Sequence, residues 1–185
     1  ELGSADQAHF THDFSGVTSK VGGDVHANLA DPSFAWHGEI WCDATSLETG
    51  VAGRDEGMLE NLDVERHPRI RFVVTGFAAD RVDVDARSTS GTALGQLEIR
   101  GRAREVRVPV TITQDESRRI VVSGQTVLHL PDWEVPVPNK LGVITMEPDV
   151  TMWLELRARA VGRGGPRGGG LEPGRGGADG RSALT

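Results

Sequence analysis

Apolar and polar residues alternate along most of the chain with a period of two. In residues 34–45, one set of alternate positions is mainly apolar, and the other set includes His37, Glu39 and Asp43. Successive side chains of a β-strand point to opposite faces, so this pattern predicts a strand with one inward face. The inward set consists of Phe34, Trp36, Gly38, Ile40 and Cys42.

The same alternation predicts most of the remaining secondary structure. Helical periodicity is confined to residues 54–61, where we expect one or two turns of helix. Many short antiparallel strands with one apolar face must hide their edges, and closure into a barrel does so. The chain is therefore predicted to be an all-β barrel with one short helical segment. Its further strands are expected at 69–75, 94–100, 106–112, 119–129 and 149–161.

Glycine and proline suggest where this pattern is interrupted. Gly22-Gly23 predicts a turn, because paired glycines favour tight turns over strand interiors. Pro109 falls inside a valine-rich segment, where a proline cannot donate a hydrogen bond to a neighbouring strand. It predicts a sheet edge or a bulge at this position.

The C-terminal segment, residues 162–185, differs in composition from the rest of the chain. It contains ten glycines, four arginines and very few apolar residues. Such a segment cannot offset the entropy cost of ordering by burying apolar surface. The predicted organisation is therefore one barrel domain over residues 1–161 and a disordered Gly/Arg-rich tail over 162–185.

The charge distribution argues against nucleic-acid binding by the folded part. The net charge is −7, and because the tail contributes +2, residues 1–161 carry −9. An acidic body repels phosphate backbones, and the tail arginines are too dilute to compensate. No run approaches the ~18 consecutive apolar residues of a membrane-spanning helix. Cys42 is the single cysteine, so no internal disulfide forms.

The sequence contains few residue patterns that suggest catalysis or metal binding. His9-x-x-His12 puts its imidazoles on opposite faces of a strand, and no Cys/His zinc spacing is present, so no metal or other cofactor is expected. Nucleophile-elbow, phosphate-loop and dinucleotide motifs are also missing. If the strand persists through residue 104, Arg100, Arg102 and Arg104 share an outward face and could meet a pyrophosphate at a barrel rim. A solvated turn around Gly101 is the alternative interpretation.

Four motifs, in order along the chain, resemble the YceI-like family of lipid or polyisoprenoid-binding proteins. The first combines Ser46-Leu47-Glu48-Thr49-Gly50 with Arg54-Asp55-Glu56-Gly57-Met58, Leu62-Asp63-Val64 and His67-Pro68-Arg69-Ile70-Arg71-Phe72. The second is Gly95-Gln96-Leu97-Glu98-Ile99-Arg100-Gly101, followed by the valine-rich strand from Val106 to Ile112. The third, Leu128 to Trp133, keeps Asp132 of the family's Asp-Phe-Gly, with Trp133 for the aromatic and Glu134 for the glycine. The fourth runs from Leu141-Gly142-Val143-Ile144 to Leu154-x-Leu156-x-Ala158.

The resemblance implies an eight-stranded antiparallel lipocalin-like barrel with an elongated apolar cavity that holds an isoprenoid chain. From the residues alone, a hollow barrel and a filled one stay equally open, because eight strands enclose a space that side chains can fill. The resemblance implies a periplasmic or secreted protein, whereas no signal peptide is visible and the chain begins with Glu1, so a cytoplasmic location stays open. The oligomeric state is left open between a monomer and a homodimer.

The predicted function is non-catalytic binding or carriage of a polyisoprenoid or similar lipid. The alternatives are an enzyme that cyclises or isomerises an apolar substrate, using interior polar groups such as His129 with Asp132, and a scaffold with a filled core. Met58 and Leu62 lie in the non-strand segment that could cap one mouth of the barrel, and methionine adapts to irregular ligands. The predicted ligand contacts are Cys42, Met58, Leu62, Ile70, Phe72, Leu97, Ile99, Val110, Leu128, Trp133 and Leu154.

Overall fold

A computed structural model of the chain describes residues 15–28, 35–85, 87–117, 119–137, 139–140, 144–145, 147–159 and 179–184. Phe34, His9 and His12 lie outside these residues, as do most of the predicted tail and part of the fourth motif. The predictions made for them therefore stay predictions.

Eight antiparallel strands form a closed barrel, which confirms the predicted fold class. Their order around the barrel is β1-β10-β9-β6-β5-β4-β3-β2, and β7 pairs separately with β8. One α-helix, α1 (Ala52–Asn61), lies between β2 and β3, where the sequence predicts helix. The strands are β1 (Gly16–His26), β2 (His37–Asp43), β3 (Arg69–Asp83), β4 (Ser88–Ile99), β5 (Arg102–Gln114), β6 (Arg119–His129), β7 (Asn139–Lys140), β8 (Ile144–Thr145), β9 (Asp149–Arg159) and β10 (Asp179–Leu184).

The closing strand comes from the segment that was predicted to be disordered. Asp179–Leu184 forms β10, which pairs with β1 on one side and β9 on the other. The prediction of disorder over 162–185 is therefore wrong for these six residues. Composition could not predict this strand, because strands pair through their backbone groups. The edges of β1 and β9 offer unpaired backbone groups to any extended segment that lies between them.

Two local predictions meet different outcomes. Gly22-Gly23 is no turn, because β1 runs unbroken through both residues and pairs with Trp41 and Ile40 of β2. Pro109 causes no bulge, since β5 pairs with β4 in continuous register past it. The pairing of β5 with β6 begins at the next residue, Val110, so the proline lies at a local edge as predicted.

The barrel has two unlike ends. At one end, which we call the helix end, the chain passes from β2 through a 3-10 turn (Ala44–Ser46) and α1 to β3. A second 3-10 turn (Leu130–Trp133) follows β6 at the same end. Buried side chains from these connections close it: Ala44, Leu47, Leu62, Trp133 and Val135. The opposite end carries the β1–β2, β3–β4 and β5–β6 connections.

Candidate functional site: the barrel interior

The interior face of the barrel divides into two parts with the same apolar chemistry but different exposure. Six apolar side chains of β4 and β5 that point inward are only 2 to 9% exposed. We call this set the packed wall: Leu97, Ile99, Val106, Val108, Val110 and Ile112.

On the other strands Val74 and Leu128 are buried, but six inward apolar side chains are only partly buried, although they pack against the same core. Strand pairing fixes their direction, because directly paired residues share a face. Phe72 pairs with Leu97, and Val122 pairs with Ile112, both of the packed wall. We call this second set the open wall: Ile40, Ile70, Phe72, Val122, Met152 and Leu154.

Glycines on the inner face make room for aromatic rings. A Cβ atom on Gly95 would lie 2.6 Å from Cζ of Phe72, and one on Gly91 would lie 2.6 Å from Cζ of Phe77. Phe77 in turn stacks on the buried Trp36, with ring centroids 4.4 Å apart. The alternation in β3 did not assign Phe77 to the interior, because the register shifts between Val74 and Gly76.

Cys42 lies beside the open wall, between Val21 of β1 and Ile70 of β3. Burial raises the pKa of its thiol to about 11, and the nearby Asp43 adds to the rise. At neutral pH the side chain is therefore a protonated thiol that behaves as a small apolar group.

Trp133 fills the helix end of the interior. Its indole is 3% exposed, and its Nε1 donates a hydrogen bond to the carbonyl oxygen of Leu97 over 2.9 Å. Leu62, at the end of α1, is also buried, whereas Met58 is partly buried. A Cβ atom on Gly16 would lie 3.0 Å from the sulfur of Met58, so the helix rests on the start of β1.

The run from Ser46 to Asp55 is held by polar contacts. The Asp55 carboxylate accepts hydrogen bonds from the Thr49 backbone N–H (2.6 Å) and the Thr49 hydroxyl (2.5 Å). These bonds hold the pKa of Asp55 below its usual value. The Ser46 hydroxyl contacts the buried hydroxyl of Thr18 at 2.5 Å. The run therefore fixes α1 across the helix end.

All eleven predicted ligand contacts lie in or beside the hydrophobic core. These residues share an inward position. That they contact a ligand stays a prediction. Leu62, Leu97, Ile99, Val110, Leu128 and Trp133 are buried, while Cys42, Met58, Ile70, Phe72 and Leu154 are partly buried.

The prediction that Arg100, Arg102 and Arg104 share an outward face is wrong. The β4–β5 hairpin turns at Arg100-Gly101, and Arg102 and Arg104 then pair with the inward residues Ile99 and Leu97. Paired residues share a face, so both arginines lie at the inner side of the rim, where they are exposed to solvent. The predicted turn around Gly101 is confirmed.

The polar pair suggested for an enzyme does not meet inside the barrel. His129 and Asp132 are both exposed, and Nδ1 of His129 lies 2.6 Å from a carboxylate oxygen of Asp149. Among the described residues, the buried polar side chains are Thr18 and Thr89, neither of which can act as an acid or base near neutral pH.

The outer surface carries charged contacts that the alternation did not reveal. Arg71 of β3 bonds Glu39 at 2.6 Å and Glu98 at 3.4 Å on the two flanking strands. The hydrogen bond from Arg71 holds the pKa of Glu39 below its usual value. Next to them, the guanidinium of Arg69 lies 4.2 Å from the ring centroid of Trp41. These contacts support the barrel wall from outside.

A shallow groove of about 560 Å³ also lies on the outer face, between β1 and β2. Its rim carries His26 and His37, which stack with ring centroids 4.8 Å apart. Within the described part of the chain, no three His, Cys, Asp or Glu side chains come together as metal ligands. No helix there is both long and apolar enough to cross a membrane.

A family profile described as YceI-like domain matches residues 3–158. The chain belongs to the YceI-like family. Its fold also resembles that of solved family proteins. The Campylobacter jejuni YceI protein is 14% identical, with a TM-score of 0.66 over 87% of this chain and 93% of that one.

Two further solved structures are similar to this chain to different degrees. BcnA from Burkholderia cenocepacia is 19% identical, with a TM-score of 0.61 over 78% of this chain and 95% of that one. A polyisoprenoid binding domain from Saccharophagus degradans is 14% identical, with a TM-score of 0.48 over 66% and 75% of the two chains. That last likeness is too low to support a statement about this chain's ligand. A comparison with curated protein sequences finds no match.

Proposed function

We propose that the barrel binds the apolar chain of a lipid-like ligand, a polyisoprenoid or a similar molecule, and that it does so as a non-catalytic binder or carrier. The observation that carries this proposal is the open wall. Its side chains point inward and are apolar, yet they keep surface that a water-sized sphere can reach. A filled core would bury both walls equally, whereas an apolar void exposes the side chains around it.

Cys42 provides a second argument for an internal void. Its side chain is partly exposed, yet burial raises the pKa of its thiol to about 11. Cys42 therefore lies among protein atoms on the inner face while part of its surface stays accessible. The chemistry of such a cavity suits a hydrocarbon chain, because the open wall offers methyl, methylene, thioether and phenyl groups.

The energetics favour a carrier over a permanent store. Moving an isoprene unit of five carbons out of water gains roughly 3–4 kcal/mol, at about 0.8 kcal/mol per carbon. For a lipid that already lies in a bilayer, the free energy of transferring its tail into the barrel is small, because the tail is out of contact with water in both places. Binding is then close to balanced, so the same protein can take up a ligand and release it.

The proposed contacts are the eleven inward residues already named, with Met58 as the most adaptable of them. Met58 lies on α1 at the helix end, and it is only partly buried. A flexible thioether there can adjust to the end of a ligand chain without moving the strands.

The test compares two phenylalanine substitutions in one strand. Val122 of β6 faces the interior beside Ile112, while its neighbour Val121 faces outward beside Thr113 and Arg157. We expect Val122→Phe to reduce prenyl-lipid uptake, because the ring occupies the void, and Val121→Phe to leave it unchanged. Uptake is measured by native mass spectrometry on protein purified without detergent. Equal uptake by both variants, or no uptake by the wild type, would contradict the proposal.

A further inference from the structure

A cluster of charged side chains joins the β4–β5 hairpin to the turn that carries Trp133. Arg102 Nη2 donates to the Glu134 carboxylate over 2.9 Å, and Arg100 Nη1 donates to the Glu134 backbone carbonyl over 2.5 Å. Glu134 therefore presents two acceptor oxygens to two guanidinium groups. Together these contacts bind the Trp133 turn to the rim of the barrel.

Both partners adopt a backbone conformation that glycine usually takes. Arg100 has φ 52° and Glu134 has φ 56°. The left-handed region costs a residue with a side chain about 1–2 kcal/mol. A glycine at either position would avoid this cost, yet an arginine and a glutamate occupy them. The hydrogen bond from Arg100 to the Glu134 backbone carbonyl offsets part of the strain, while the Glu134 carboxylate is bonded by Arg102.

The guanidinium of Arg100 has donor capacity left over. Its Nε is buried, and among the described residues it has no hydrogen-bond partner. A buried donor without a partner costs about 1–3 kcal/mol, so the Arg100 side chain is incompletely satisfied by Glu134. The Glu134 carbonyl offers the Arg100 guanidinium a single acceptor oxygen. A ligand with several acceptor oxygens would satisfy more of its donors.

The cluster lies on the inner side of the rim at the helix end. Arg102 pairs with Ile99, and Trp133 bonds the carbonyl of Leu97, so arginine and indole are neighbours at the inner rim. Arg104 adds a third positive charge on the same face, in a protein whose net charge is −7. An anion near this rim therefore meets a local positive field within an acidic molecule.

We propose that Arg100 and Arg102 form a binding site for the phosphate-type head group of an amphiphile, and that Glu134 occupies this site in the ligand-free protein. The site rests on the proposed interior binding of an apolar chain. A phosphate offers three or more oxygens to the two guanidinium groups and displaces the Glu134 carboxylate. Displacement breaks the side-chain contact that ties the Trp133 turn to Arg102, and the tail extends from the rim into the interior.

The test measures dissociation constants for farnesyl monophosphate and farnesol, which share a tail and differ in the head group. We expect Glu134→Gln to tighten binding of the phosphate about three- to tenfold, because an internal competitor is lost, and to leave farnesol unchanged. Arg102→Gln should weaken binding of the phosphate about tenfold. Glu134→Gly serves as a second variant, since glycine tolerates the positive φ and removes the carboxylate without threatening folding.

The matched control is Glu155→Gln. Glu155 pairs with Arg157 at 2.9 Å on the outer face of β9, with exposure similar to that of the Arg102–Glu134 pair. It should change neither dissociation constant. If it tightens phosphate binding as much as Glu134→Gln, the effect is one of net charge and the rim site is overturned.

The remaining outcomes separate this inference from the proposed function. If farnesol binds and Glu134→Gln leaves the ratio of the two constants unchanged, the rim site is wrong and interior binding stands. If neither amphiphile binds the wild type, both proposals fail. Inorganic phosphate that binds as tightly as farnesyl monophosphate would show a site for free phosphate and would overturn the head-group assignment.

Discussion

The packed wall and the open wall are built from the same kind of residue and face the same interior, yet only one is buried. Leu97 of the packed wall is 3% exposed, while its directly paired neighbour Phe72 keeps accessible surface. The helix-end part of the packed wall lies against the Trp133 turn, whose indole bonds the carbonyl of Leu97. Alternation along a strand therefore specifies which side chains point inward, and the connections decide which of them become covered.

The largest expected effect compares one leucine from each wall. Leu97→Ala should destabilise the protein by about 3–4 kcal/mol, because the cavity forms under a fully covered site. Leu154→Ala should cost about 1–2 kcal/mol, since part of this side chain already borders open space. Denaturant unfolding measures both values. Equal losses of unfolding free energy in the two variants would show that the two walls are packed alike, which would contradict the difference described here.

Cys42 tests the open wall through its chemistry. A pKa of about 11 should make alkylation of the thiol at pH 7 about a hundredfold slower than that of an ordinary cysteine with a pKa near 9. The rate should rise about tenfold per pH unit and level off only near pH 11. A neutral reagent such as N-ethylmaleimide is required, because the surroundings are apolar.

The Cys42 thiol should also make the free energy of unfolding depend on pH. Its pKa is raised in the folded state, so folding favours the protonated thiol. The stability that it contributes is complete below pH 9, the unfolded value, and is lost as the pH rises towards 11. Cys42→Ser should remove this pH dependence. Alkylation that stays undetectable until the protein unfolds would indicate a filled interior.

Much of the barrel follows from the sequence, because period-two alternation is a local property. The predicted strand 119–129 coincides with β6, and the predicted strand 69–75 lies inside β3, where Ile70 and Phe72 point inward. The predicted helical turns at 54–61 lie inside α1. Each of these elements is specified by residues close together in the chain.

The failures arise where a distant residue decides the local structure. Gly22 and Gly23 predict a turn, but the indole of Trp41 on β2 occupies the space beside Gly22, so glycine is needed inside the strand. Phe77 was missed because the register shift before Gly76 moves it to the inner face. β10 was missed because its partners β1 and β9 provide backbone groups that no composition reveals.

The candidate site was predictable as a set of inward residues but not as a hollow space. Side-chain identity is the same in a filled barrel and an empty one. The rim cluster was missed for another reason: the turn at Arg100-Gly101 reverses the chain, so a face assigned by counting residues no longer applies. The contact between Arg102 and Glu134 joins residues that are 32 positions apart.

A glycine on the inner face of β4 tests how tightly this part of the barrel is packed, and the expected change in stability is moderate. A Cβ atom on Gly95 would meet the Val73 carbonyl oxygen and the Phe72 ring, so Gly95→Ala should cost about 1–3 kcal/mol through overpacking. Gly57→Ala is the control, because a Cβ atom there meets open space on α1, and it should stabilise the helix by about 0.5–1 kcal/mol. Thermal unfolding measures whether each variant is less or more stable than the wild type. A harmless Gly95→Ala would mean that both the Val73 backbone of β3 and the Phe72 ring can move away from the added methyl group.

The smallest expected effect concerns the bond that joins Trp133 to the packed wall. Trp133→Phe keeps an aromatic ring at the helix end but leaves the Leu97 carbonyl without its donor, so it should cost about 1–2 kcal/mol. Trp153→Phe is the control, since that indole lies on the outer face and is 37% exposed. If the Trp133 turn covers the packed wall, hydrogen exchange in β4 should rise in Trp133→Phe and stay unchanged in Trp153→Phe. Unchanged exchange in both variants would mean that the packed wall is buried by the strands themselves, and the connections would then no longer explain the difference between the two walls.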